Sequence, residues 1–139
     1  MLKNLNLQFL ISYFGFLPYL IVIIEKFFLN QIDNSILENF TVFYSIIILV
    51  FIGSINWNLK ENISKKLVLY GFSPSLFAVI IIIIYLYNFN VFFLLITFFL
   101  LQLIGDYFII YKNKNHSKVF FYVRFPLTTL IILSLGIIQ

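Results

Sequence analysis

From Leu67 to Tyr111 only one side chain, Asp106, carries a charge. No other feature constrains the fold as strongly. Crossing the hydrocarbon of a bilayer takes about 20 residues at about 1.5 Å rise each, so this stretch is too long for one crossing. The polar interruption Asn88-Phe89-Asn90 divides it into two runs of about 20 residues, which suits a tight helical hairpin. Three further apolar runs flank this pair. Phe9 to Ile24 ends at Glu25 and Lys26 with Phe27 to Leu29 trailing; Phe40 to Trp57 and Val119 to Gln139 are the others. The pattern predicts one transmembrane domain over 1–139, with spans at about 6–28, 40–57, 67–87, 91–111 and 119–138.

Composition excludes the soluble alternative. Of 139 residues, 63% are hydrophobic and 10% charged, against about 45–50% and about 25% in soluble domains. A chain this short leaves much of its surface exposed and has no interior large enough for so many Ile, Leu and Phe side chains. In lipid every backbone N–H and C=O must be paired, so the spans are helices or the strands of a closed barrel. Barrel strands alternate polar and apolar residues; these runs are apolar on every face. The predicted class is therefore all-α, an integral membrane bundle of five transmembrane helices.

The first run is preceded by a single lysine, Lys3, and has no small-residue cleavage site after it, so it reads as a retained helix and not a signal peptide. With five spans, Lys3, Lys60, Lys65, Lys66, Lys112, Lys114, Lys118 and Arg124 all fall at one side. The opposite side has Lys26 beside Glu25, with Asp33 and Glu38. Basic loops stay in the cytoplasm, which predicts N-in and C-out. The net charge of +4 is spread over such loops and points to no nucleic-acid partner. Trp57, Tyr107, Tyr111 and Tyr122 near one boundary, and Tyr85 and Tyr87 near the other, read as interfacial belt residues.

Charges inside a membrane are the first functional suspects, since each costs about 2.5–3.5 kcal/mol at a helix centre. Asp106 lies six residues before Lys112 and Arg124 six residues after Lys118. Each is thus about 9 Å inward on neighbouring helices, and an Asp106–Arg124 ion pair is expected. The pair either locks the fourth and fifth spans together or serves transport or partner contact. Gln102 shares a helix face with Asp106, and Asn56 can hydrogen-bond across helices; helix glue is the plainer role for both. Pro18, Pro74 and Pro126 each fall within a span and free the carbonyls of Phe14, Tyr70 and Tyr122, with Ser73 and Ser75 placed to satisfy the backbone at Pro74. Gly15, Gly53, Gly71 and Gly105, with Ser54, permit close helix approach.

The remaining signals are weak. His116 stands alone in a basic loop with no second ligand for a metal. Sequons at Asn39, Asn62 and Asn115 are expected by chance in an Asn-rich chain. Without cysteine there is no disulfide, thiolate metal site or Cys nucleophile. No phosphate loop, nucleotide fingerprint, carboxylate pair or catalytic triad is present, so neither an enzyme activity nor a cofactor is expected.

The run Tyr44-Ser45-Ile46-Ile47-Ile48-Leu49-Val50-Phe51-Ile52-Gly53-Ser54-Ile55-Asn56-Trp57 resembles the signature of domain-of-unknown-function family 3429, the family of transmembrane protein 69. Gly15-Phe16-Leu17-Pro18, Ser73-Pro74-Ser75-Leu76, Gln102 with Asp106, and Tyr122-Val123-Arg124 followed by Leu127-Thr128 fit the same pattern in order. Ser54 and Asn58 stand where the family usually has Gly, and the loop before Tyr122 lacks its usual Pro and Trp. The resemblance implies a small multi-pass protein of a bacterial inner (plasma) membrane or, alternatively, the mitochondrial inner membrane. It implies no activity, but gives Tyr44, Trp57, Pro18, Pro74, Asp106 and Arg124 more weight than their neighbours.

Three functional expectations follow. The first is a non-catalytic membrane protein that packs against, or assists assembly of, a larger membrane complex. The second is a small transporter or channel in which Asp106, Arg124, Gln102 and Asn56 line a polar site. The third is an intramembrane enzyme, for which no catalytic set can be built. The lipid bilayer is the expected partner, with other membrane proteins or a second copy beside it.

Overall fold

The computed structural model describes residues 10–54, 65–108 and 120–139. Among them the chain is all-helical, with five helices. α1 spans Leu10–Leu29, α2 Asn34–Ser54, α3 Lys65–Leu86, α4 Phe92–Asp106 and α5 Phe120–Ile138. Helices α1, α2, α3 and α5 are long and apolar enough to cross a membrane; α4 is a shorter apolar helix of 15 residues.

The ends of these helices follow from local chemistry. α1 is broken at Gly15 and Phe16 and resumes at Leu17–Ile24 with Pro18 in its first turn, where a missing N–H costs nothing. It closes in a wide π turn, Glu25–Leu29, capped by Asn30 in the left-handed region at φ 50°. Asn tolerates that conformation better than other non-glycine residues. Asp33 carbonyl oxygen accepts from the amides of Ile36 (2.9 Å) and Leu37 (3.2 Å). α2 therefore starts at Asn34, and its first turns carry Glu38 and Asn39, which the polarity of 30–39 alone assigns to a loop. Between α3 and α4 the chain reverses over Tyr87–Asn90. Asn88 is left-handed at φ 60°, and Asn90 Oδ1 accepts the Phe92 amide at 3.0 Å.

α4 packs against α2, α3 and α5. Its inner face presents Leu95, Phe99, Gln102 and Asp106, all buried. α2 and α3 form the most extensive pairing. A Cβ on Gly53 would lie 2.5 Å from Pro74 Cγ, so the absence of a side chain there sets how closely α2 and α3 approach. The outside is the reverse of a soluble protein's: Phe28, Phe93 and Ile47 are 78%, 76% and 62% exposed. Such a surface is costly in water and ordinary in hydrocarbon.

Candidate functional site

Asp106 ends α4 and Arg124 lies in the second turn of α5, and the fold brings the two together. Arg124 Nε lies 3.6 Å from Asp106 Oδ2, with side chains 8% and 2% exposed. Arg124 Nη2 also donates to the Ile52 carbonyl of α2 at 3.1 Å. One arginine thus joins α5 to α4 and to α2.

The fourth strut is Tyr70 of α3. Its phenol oxygen lies 2.7 Å from Asp106 Oδ1 and 2.7 Å from the Gln102 carbonyl oxygen, and donates into the space between them. This reach depends on Gly105: a Cβ there would sit 2.5 Å from the Tyr70 ring. The other end of Tyr70 is held too. Pro74 has no N–H for the Tyr70 carbonyl, and Ser73 Oγ donates to that carbonyl at 2.8 Å. The repair expected of Ser73 at the Pro74 break is therefore present.

The other two proline breaks are met by phenols from neighbouring helices. Tyr13 donates to the Tyr122 carbonyl at 2.7 Å, the acceptor that Pro126 leaves without its helical donor. Near Pro18, the Tyr19 amide turns back to the Phe16 carbonyl at 3.1 Å, and Tyr44 donates to the Gly15 carbonyl at 2.7 Å. The cross-helix bond thus falls on Gly15, one residue beyond the carbonyl of Phe14 that proline geometry alone selects.

Gln102 is buried with Asp106, on the face that their spacing predicts. Among the described residues neither its Nε2 nor its Oε1 has a hydrogen-bond partner. Its amide is an orphan beside a network that is otherwise well connected. Asn56 and Trp57 lie outside the described residues.

Several polar residues have no signal in the sequence. Tyr19 is 1% exposed, and its hydroxyl donates to Ser45 Oγ at 2.8 Å. Ser45 Oγ donates onward to the Thr41 carbonyl at 2.6 Å, and Thr41 Oγ1 to the Leu37 carbonyl at 2.7 Å. Glu25, 6% exposed, accepts the amides of Gln31 (2.6 Å) and Ile32 (2.8 Å) through Oε1. The ammonium of Lys26 donates to the Ile138 carbonyl at the end of α5. No group of three or more His, Cys, Asp and Glu placed to hold a metal ion occurs among the described residues.

Some of these joints fall on residues that carry the family pattern. The model of the family described as "Protein of unknown function (DUF3429)" matches residues 6–138. The chain belongs to this family. No curated protein and no solved structure matches it. Of the family-pattern residues, Pro18, Tyr44, Pro74, Asp106 and Arg124 each sit at a break in a helix or at the bond that ties one helix to another.

Proposed function

We propose that this family member is a non-catalytic integral membrane protein of five spans, N-in and C-out, that packs against or assists assembly of a larger membrane complex. The supporting observation is how the buried charges are used. Arg124, Asp106 and Tyr70 are directed at one another and at the backbone of α2 and α4. Buried ion pairs of this kind set which helices meet more than they add to stability. α4 serves as the fifth span, its described 15 residues covering about 22 Å at 1.5 Å each. The orientation rests on the lysines at the Arg124 end, and the membrane is the inner (plasma) membrane or, alternatively, the mitochondrial inner membrane. Copurification in mild detergent followed by mass spectrometry tests the role: a stable large partner is expected, and a lone particle overturns it. A cysteine at Asn34 labelled only from the cytoplasmic side overturns the orientation.

The buried amide of Gln102, without a hydrogen-bond partner among the described residues, favours the second reading, a small transporter or channel. A buried amide without a partner costs about 1–3 kcal/mol, and a passing substrate or water would relieve that cost. Gln102→Leu separates the two. In the packing protein it raises thermal stability and leaves complex formation intact. In a transporter it abolishes flux in reconstituted vesicles.

A further inference from the structure

The end of the bundle opposite Asp106 and Arg124 holds a cavity of about 390 Å³ between the start of α2 and the α3–α4 turn. Glu38, Asn39, Phe43, Tyr85, Asn88 and Phe89 are among its lining residues. This size falls at the lower end of the range for small-molecule sites. Phe43 and Tyr85 meet edge to face, ring centroids 5.8 Å apart. Tyr85 is fixed in place by donating its hydroxyl to Asn39 Oδ1.

Glu38 supplies the charge. It is half-buried and has no cationic partner among the described residues. The one cation nearby in the chain, Lys26, is directed at the Ile138 carbonyl, and Glu25 is committed to backbone amides. Among the described residues this end therefore has more acidic than basic side chains, with Glu25, Asp33 and Glu38 against Lys26, which draws cations toward it. A hard divalent cation would need six or more oxygens. Here one carboxylate is present, Asn39 Oδ1 is taken by Tyr85, and Asn90 Oδ1 by the Phe92 amide. Aromatic walls around a single carboxylate instead suit an organic ammonium, which binds the ring faces while its charge is balanced.

We propose that the cavity lined by Glu38, Phe43, Tyr85 and Phe89 is a binding site for an organic ammonium group. The ammonium belongs to a phospholipid headgroup or to a free small amine. The lipid source rests on the membrane reading above, because it needs this rim to lie at headgroup depth. The free-amine source does not.

Native mass spectrometry of the full chain in detergent distinguishes these. Phosphatidylethanolamine is expected to be retained about tenfold better than phosphatidylglycerol, and Glu38→Gln to remove that preference. Free ethanolamine that displaces the lipid, or binds without it, identifies a free-amine site. Retained lipid that ethanolamine does not displace identifies a headgroup site. Equal retention of the two lipids together with no binding of free ethanolamine overturns the proposal, as does a preference that survives Glu38→Gln. If Glu38→Gln does not fold, Phe89→Leu, at a turn position 66% exposed, decides. It is expected to weaken retention about threefold, and unchanged retention overturns the site. Both readouts are made in detergent, so failure here leaves the partner and orientation tests standing.

Discussion

The two ends of the bundle handle charge differently. At one end Asp106 and Arg124 lie inside, and their bonds run between helices, to Tyr70 of α3 and the Ile52 carbonyl of α2. At the other end Glu25 and Lys26 lie at the close of α1. Glu25 caps the amides of the following loop, within seven residues of itself, and Lys26 crosses only to the last turn of α5. An interior pair specifies which helices meet, because each partner is costly without the other. Glu25, though as buried as Arg124, spends its charge on backbone amides close by in the chain, and the half-buried Lys26 meets a helix end and has water as an alternative partner. The contrast predicts that the interior end governs assembly of the bundle and the rim end only its margins.

The largest effect is expected from removing one partner of the pair. Arg124→Ala or Asp106→Ala leaves an uncompensated buried charge and should cost about 3–5 kcal/mol, read as loss of a folded, monodisperse species in detergent. Swapping the two residues is expected to restore much of this; if the swapped protein folds and keeps its complex, the pair is structural. Gly105→Ala comes next. Its Cβ would meet the Tyr70 ring at 2.5 Å, and a ring held at both ends has little freedom to give. A loss of about 1–3 kcal/mol is expected from overpacking, measured by thermal unfolding followed by circular dichroism. A smaller, overlapping loss of about 1–2 kcal/mol follows Tyr70→Phe, which leaves the ring in place and removes only the shared donor. The double variant should cost less than the sum of the two, because both act on one contact. Smallest is Lys26→Met, about 0.3–1 kcal/mol from the helix-terminus interaction. If Lys26→Met costs as much as Arg124→Ala, the contrast between the ends fails.

The Asp106–Arg124 contact was legible because both charges are rare, lie equally far inside their runs, and belong to consecutive helices. The repair at Pro74 was legible because proline removes a known donor and Ser73 is adjacent. Tyr70, Tyr13 and Tyr19 were not. Tyrosine is frequent in this chain, nine residues, and a phenol near a boundary reads equally well as a belt residue. The early start of α2 was hidden because Asp33, Asn34, Glu38 and Asn39 make the segment polar, while the helix is set by the Asp33 carbonyl and the burial of Leu37.

Apolar runs of membrane length, interrupted by polar residues, were by themselves enough to require helices, since a backbone in lipid has no other local way to pair its polar groups. Those runs are apolar all round, so they say little about which face of each helix turns inward. That rotation was decided by packing: Gly53 against Pro74, and Gly105 beneath the ring of Tyr70. A glycine records only that a side chain is missing, and what fills the space belongs to another helix, far away in the chain.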